Sequence, residues 1–260
     1  MFDQGSGPPL VVVQPLQGRW EWTREMLRDL SRHFRVVSYS LSGDLGSGQR
    51  MDADAGFDGF VRQLEEVIDA AGITGRAALC GISFGGVVAA RYAARHPDRV
   101  SRLIVASSPG PGWRPNAAQA GYVSRPWLSL PAFGVAALER AAREVAAALP
   151  AWPQRLRFFV RYGALALRFP AMPHLMARRV RLMQDLDLSG DCARISAPTL
   201  VITGEPALDL VVPVDSTKRY AELIPNARVE LMDRTGHLGV LTQPARFASM
   251  VKDFVNADHS

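Results

Sequence analysis

One short stretch of the sequence places a serine between glycines, in Gly81-Ile82-Ser83-Phe84-Gly85-Gly86. It lies between a short predicted strand and a helical pattern, so Ser83 is expected at a tight strand-to-helix turn. Such a turn strains the serine backbone and exposes Oγ, and flanking glycines remove side chains that would clash there. The helix that begins after Ser83 also directs free N–H groups and its positive dipole end to the same point. These features favour a nucleophile that attacks a carbonyl carbon; the simpler alternative is a glycine-rich turn that only packs closely.

A serine hydroxyl needs a base to accept its proton, and five histidines are available. Four have simple structural interpretations, at helix ends, in a basic segment or in the C-terminal tail: His33, His96, His174 and His259. The fifth, His237, follows the last predicted strand in the loop Thr235-Gly236-His237. Loops that follow parallel strands gather at one edge of a sheet, so His237 is expected beside Ser83 and is the predicted general base.

An acidic residue that orients the imidazole is expected after the predicted strand Thr199–Thr203, because that loop lies between the other two groups in chain order. The loop offers Glu205 and Asp209. Asp215 heads a predicted helix and is more simply an N-cap. Asp233 lies at the exit of a strand. Asp209 is the favoured acid, and Glu205 is kept as the alternative.

The elements that must position these groups alternate along the chain. The predicted strands are Leu10–Gln14, Arg35–Tyr39, Ala77–Cys80, Val100–Ser107, Thr199–Thr203 and Arg228–Met232. The predicted helices between and after them are Arg19–His33, Phe57–Ala71, Phe84–Arg95, Asp215–Ile224 and Ala245–Val255. This alternation predicts an α/β fold with a mostly parallel sheet of about six strands and helices on both faces.

The alternation stops between Gly110 and about Cys192, where the sequence is punctuated by prolines and shows no convincing strand. Eleven arginines and four acidic residues give residues 110–190 a net charge of +7, whereas the rest of the chain carries −2. We therefore expect residues 1–110 and 191–260 to form the sheet core and residues 111–190 to form a helical insertion. Its aromatic residues suit either a large apolar pocket or the insertion's own core: Trp113, Trp127, Trp152, Phe158 and Phe159.

Composition narrows the class of protein. The chain has 260 residues, 48% hydrophobic and 21% charged, which predicts a globular fold with a sizeable core rather than disorder, collagen or coiled coil. No apolar run is long enough to span a membrane, and the N-terminus lacks the basic cluster of a secretory signal. Two cysteines, Cys80 and Cys192, make neither a disulfide framework nor a metal cluster. A cytoplasmic protein without cofactor or metal is expected.

Several motifs together resemble the α/β-hydrolases, in particular lid-bearing esterases, lactonases and carbon–carbon hydrolases. They are Gly81–Gly86, His96-Pro97-Asp98-Arg99-Val100, Ala197-Pro198-Thr199-Leu200-Val201-Ile202 with Gly204, and Gly236-His237. The chain order Ser83, Asp209, His237 is also that of this family. The resemblance covers nearly the whole chain except the insertion, and it implies that the insertion is a lid over the active site.

The resemblance also implies an oxyanion hole, and here the sequence departs from the family. Members usually carry His-Gly after the first strand of this region, where this chain has Gln14-Pro15. Proline has no N–H, so the donors are expected to be the N–H groups of Leu16 and Phe84. The spacing from Gly204 to the acid is longer than usual. The antiparallel hairpin that usually opens the fold is expected to be missing.

The nucleophile separates this chain from other members of the fold. Epoxide hydrolases and haloalkane dehalogenases attack with an aspartate at the position that Ser83 occupies, so neither activity is expected. Nucleic-acid binding is not expected either, because no binding motif is present and the sheet part is slightly acidic. The arginine-rich segment 155–168 is of a kind that can lie on anionic membranes. The simpler interpretation is a lid helix with its apolar face over the pocket and its arginines in water.

The sequence thus predicts a serine hydrolase that cleaves an ester, thioester or lactone of a small, apolar molecule through an acyl-enzyme. Carbon–carbon bond hydrolysis and acyl transfer on the same three residues are the enzymatic alternatives. Since Gln14-Pro15 alters the expected oxyanion loop, a ligand-binding protein with little turnover is the alternative from another class.

Overall fold

The computed structural model describes residues 1–52 and 54–257, and a seven-stranded sheet runs through this part of the chain. The strands are β1 (Phe2–Gln4), β2 (Pro9–Val13), β3 (Arg35–Ser38), β4 (Ala77–Ile82), β5 (Val100–Ala106), β6 (Thr199–Thr203) and β7 (Ala227–Leu231). Their spatial order is β1-β3-β2-β4-β5-β6-β7, and β2 to β7 pair in parallel. The predicted α/β class and the six parallel strands are confirmed.

The first strand corrects the expectation of six strands. β1 pairs antiparallel with β3, with Phe2 opposite Ser38, and adds a seventh strand at the edge. Phe2 is buried, and its ring lies 5.5 Å from that of Trp20. A three-residue strand with one apolar side chain has no alternating pattern, so its pairing depends on β3 and could not be read locally.

Helices cover both faces of the sheet. They are α1 (Arg24–Leu30), α2 (Asp58–Ala70), α3 (Phe84–Arg95), α4 (Ala117–Ser124), α5 (Leu130–Ala148), α6 (Trp152–Arg168), α7 (Pro173–Gln184), α8 (Leu188–Arg194), α9 (Val214–Leu223), α10 (Gly239–Thr242) and α11 (Pro244–Asn256). The predicted helix Arg19–His33 is instead a 3₁₀ turn, Trp20–Thr23, followed by the shorter α1.

Alternate residues of each central strand serve two separate cores. In β2, Val11 and Val13 belong to the core under α2 and α3, whereas Leu10 and Val12 belong to the core under α1 and α11. All six residues of β4 are buried. Burial on both faces explains why these strands appear in the sequence as continuous apolar runs.

Five helices, α4 to α8, lie between β5 and β6 in the described chain, where no strand was predicted. Burial varies among these helices: seven of the 12 residues of α7 are buried, whereas α6 has no buried residue. Trp127 and Trp152 are 60% and 71% exposed, so these two line neither a pocket nor an insertion core. Phe158 and Phe159 are half-buried and contact each other edge to face. No helix among the described residues is long and apolar enough to cross a membrane.

Candidate active site

Ser83 occupies the turn between β4 and α3, as the sequence predicts. Its backbone has φ 52° and ψ −120°, in a region that a non-glycine residue rarely adopts. The Ser83 N–H donates to the carbonyl of Ala106 on β5 at 2.8 Å, which anchors the strained residue to the sheet. The strained backbone conformation of Ser83 is therefore held in place by its contact with the buried end of β5.

The glycines around Ser83 permit a close approach of backbone to backbone. A Cβ added to Gly81 would lie closer than 3.0 Å to the carbonyl of Gly85, the second residue of α3. A Cβ added to Gly85 would lie equally close to the carbonyls of Val13 and Gln14, at the end of β2. Only glycine fits at both positions, so the start of α3 lies directly against the loop that follows β2.

The three residues selected from the sequence lie together. Ser83 Oγ is 3.1 Å from His237 Nε2, and His237 Nδ1 is 3.3 Å from the nearer oxygen of Asp209. The Asp209 carboxylate is 1% exposed and also accepts the N–H groups of Val211 and Val212 at 3.2 and 3.0 Å. In this arrangement the imidazole can accept the serine proton while the carboxylate fixes its tautomer. Catalysis by these residues stays a prediction.

The alternative acid has a different partner. The Glu205 carboxylate accepts the N–H of Arg234 at 2.6 Å, and the backbone N–H of Glu205 donates to the carbonyl of Thr235 at 2.7 Å. Arg234 has a positive φ of 58°. Glu205 thus supports the turn that leads to His237, and the geometry favours Asp209 as the orienting acid.

The loop after β2 has an unusual buried anchor. Gln14 is fully buried; its amide donates to Ser38 Oγ at 2.6 Å and accepts from Thr23 Oγ1 at 2.8 Å. These bonds hold the loop by side chains on β3 and the adjoining 3₁₀ turn. Within the described residues, the N–H groups of Leu16 and Phe84 donate no hydrogen bond, so both are available to an oxyanion.

Comparison with known proteins assigns the family. The sequence profile of the alpha/beta hydrolase fold matches residues 8–244. The chain belongs to this family.

Two curated relatives match this hydrolase over almost its full length. A 2-hydroxymuconate semialdehyde hydrolase from Pseudomonas sp. strain CF600 is 29% identical and covers 98% of this chain and 89% of its own. A pimeloyl-acyl-carrier protein methyl ester esterase from Nitrosomonas europaea is 27% identical over 94% of each chain. Among solved structures, the enol-lactonase from Burkholderia xenovorans LB400 aligns with a TM-score of 0.75 at 22% identity, covering 98% of this chain and 95% of its own. These two relatives are hydrolases by name, one of them an esterase, and the structural match supports the fold.

His237 in this hydrolase is tuned by charges around it. Burial by itself would lower its pKa, but the carboxylates of Asp209 and Glu144 outweigh burial and raise the pKa above the ordinary value of 6.5. Arg140 opposes them. A more basic imidazole is a stronger proton acceptor, but it becomes protonated at a higher pH.

The sequence analysis missed two charged residues of the insertion that reach the active-site loops. Glu144 on α5 is 3% exposed and accepts hydrogen bonds from the backbone on both sides of His237. Arg179 on α7 is fully buried; it donates to the Leu16 carbonyl at 2.9 Å and forms an ion pair with Asp44. A helical pattern shows that a charge lies on an otherwise apolar face, but it does not show what that charge contacts.

The described part of the hydrolase has no group of three or more His, Cys, Asp or Glu side chains that could hold a metal ion. Trp113 borders a cleft of about 510 Å³ whose lining includes neither Ser83 nor His237.

Proposed function

We propose that this chain is a serine hydrolase that cleaves an ester, thioester or lactone bond of a small molecule through an acyl-enzyme. The observation that carries the proposal is the continuous contact from Ser83 Oγ through the His237 ring to the Asp209 carboxylate. The family assignment and the esterase relatives support it.

In the proposed reaction, Ser83 Oγ attacks the carbonyl carbon while His237 Nε2 takes the hydroxyl proton. The N–H groups of Leu16 and Phe84 stabilise the oxyanion of the tetrahedral intermediate. His237 then gives the proton to the leaving oxygen or sulfur, and the acyl group stays on Ser83. Water, deprotonated by the same imidazole, attacks the acyl-enzyme and releases the acid and free serine.

A fluorophosphonate probe tests the activated serine directly. We expect the intact protein to be labelled, and Ser83→Ala to lose the label because the nucleophile is gone. Ser101→Ala, a serine on β5, is the control and should be labelled like wild type. Absence of labelling in the wild-type protein would favour the ligand-binding alternative.

The acyl group is proposed to be apolar, on the strength of the insertion's composition. With Trp127 and Trp152 on the outside, this support rests on the remaining apolar side chains of the segment. A series of p-nitrophenyl esters of increasing chain length should show kcat/KM rising from acetate to longer acyl chains. Equal cleavage of acetate would contradict an extended apolar pocket.

Carbon–carbon bond hydrolysis is the second candidate, and the 29% identity to the 2-hydroxymuconate semialdehyde hydrolase favours it. The substrate named there, 2-hydroxymuconate semialdehyde, is a conjugated compound. Its consumption can therefore be followed by the loss of its absorbance, in parallel with the p-nitrophenyl esters. A kcat/KM for it that exceeds those for all the esters would assign the chain to this reaction instead. Transfer of the acyl group to an added small alcohol, detected as a new ester, would identify an acyltransferase.

The two cysteines bear on where the protein works. Cys80 and Cys192 are both free and buried. Burial raises the pKa of each thiol to about 12. Such thiols are inert structural groups, and we propose a cytoplasmic, reducing location that does not require them to be paired.

A further inference from the structure

One carboxylate of α5 connects the insertion to the loop that carries His237. Glu144 Oε1 accepts the N–H of Gly236 at 2.7 Å and the N–H of Leu238 at 2.7 Å. These two N–H groups lie directly before and after His237 in the chain. One oxygen atom therefore holds the backbone on both sides of the imidazole.

A second bond joins the same helix to the same loop. Arg234 donates from its guanidinium to the carbonyl of Ala148, at the end of α5, at 3.3 Å. The loop that carries His237 is thus attached to the insertion at two points, in addition to its hydrogen bonds with Glu205 in the sheet core. A shift of α5 would move the backbone of His237 with it.

The charges around Glu144 make this contact unusual. Burial raises the pKa of Glu144 to about 7, and the nearby Asp209 carboxylate adds to this increase. The two backbone hydrogen bonds and His237 act in the opposite direction and lower the pKa. Arg140, one turn earlier on α5, lowers the pKa of His237. Glu144 is therefore costly to ionise where it lies, and in its ionised form it makes the His237 imidazole more basic.

We propose that Glu144 is a positioning residue that holds the His237 loop so that Nε2 stays within reach of Ser83 Oγ. It makes the reactivity of the serine depend on the docking of α5 against the sheet core. This inference rests on the proposed function, because it assigns a role in the same proton transfer. The insertion then acts on the base of the reaction.

The test measures the rate of fluorophosphonate labelling per folded molecule as a function of pH, with folding checked by circular dichroism. Glu144→Ala removes the acceptor and is expected to slow labelling by about 10-fold to 10²-fold, the scale of an error of about 1 Å in the position of a reacting group. Glu144→Gln keeps an acceptor oxygen but loses the charge. It should slow labelling less and move the acidic midpoint to lower pH, because the carboxylate raises the pKa of His237.

Glu139→Gln is the matched control, since Glu139 is an exposed carboxylate on the same helix. It is expected to match wild type in rate and midpoint. If Glu144→Ala does not fold, Glu144→Gln decides through its midpoint. Wild-type rate and midpoint in both Glu144 variants would overturn the positioning role while leaving the labelled serine, and the proposed function, in place. Failure of the wild-type protein to label would overturn both.

Discussion

Two helices of this hydrolase show how differently its two regions are built. Ten of the 12 residues of α3, which carries the Ser83 turn, are buried, whereas none of the 17 residues of α6 is. The outward face of α6 carries Trp152, Leu156, Val160 and Leu167, all more than half exposed. The proposed chemistry thus lies on the densely packed region, while the loosely packed insertion borders it.

The insertion meets the packed region through buried apolar side chains, such as Met183 and Leu188, and through a few buried charges. Glu144 and Arg179 each bond to the backbone of a loop that carries a proposed catalytic group. A small number of such contacts can fix the position of an active-site loop without making the whole insertion rigid. We expect substitutions on the sheet side to reduce activity or stability strongly. Substitutions in the insertion should do so only at residues that contact the sheet core.

The largest effect is expected at the orienting acid. Asp209→Asn should lower kcat by about 10⁴-fold, because an amide favours the wrong imidazole tautomer. Glu205→Gln is the control: it keeps an oxygen that can accept the Arg234 N–H, so steady-state ester hydrolysis should stay within about twofold of wild type. The reverse pattern would make Glu205 the acid.

Arg179→Met tests whether the insertion contributes to stability through a single contact. It leaves the 1% exposed Asp44 carboxylate without its partner, and loss of one partner of a buried pair costs about 3–5 kcal/mol. For a chain of this length the Tm should fall by about 10 °C. Arg178→Met, at the half-buried neighbouring position, should change the Tm little. Equal shifts in the two variants would mean that the ion pair contributes nothing particular.

One substitution made in both regions measures their packing directly. Leu200→Ala on β6 removes a fully buried side chain and should lower the free energy of unfolding by about 2–5 kcal/mol. Leu167→Ala on α6 removes one that is 89% exposed and should change it by no more than about 0.5 kcal/mol. Chemical denaturation gives both values, and a large loss at Leu167 would show that α6 is covered in solution.

The smallest effect concerns Glu144 and pH. Its pKa is raised from 4.5 to about 7 in the folded protein, so the folded state binds the proton more tightly than the unfolded chain. Its contribution to stability is therefore lost as pH rises from 4.5 through 7. Glutamine carries no charge at either pH, so the Tm of Glu144→Gln relative to wild type should be higher at pH 8 than at pH 5. Thermal melts at both pH values check this, and an unchanged difference would contradict the burial of that charge.

Local sequence signals account for most of the fold and for the selection of the three proposed catalytic residues. The glycines around Ser83 and the position of His237 after the last strand are readable because each depends on neighbours in the chain. The edge strand at Phe2 and the contacts of Glu144 and Arg179 are not, because they depend on segments about 35 to 160 residues away. Trp127 and Trp152 show the opposite error, since aromatic residues suggest burial that the fold does not provide at these two positions.

The glutamine at the end of β2 has a consequence for acid tolerance. A histidine there, as family members usually carry, would gain a proton in mildly acidic solution and disturb the hydrogen bonds beneath the loop. The Gln14 amide bonds to two hydroxyl groups and has no proton to gain in that range. Acidification thus leaves these two hydrogen bonds unchanged. Loss of activity at low pH is expected to come instead from protonation of His237, or of Asp44, whose pKa is raised by burial and which pairs with Arg179 beside the Leu16 loop.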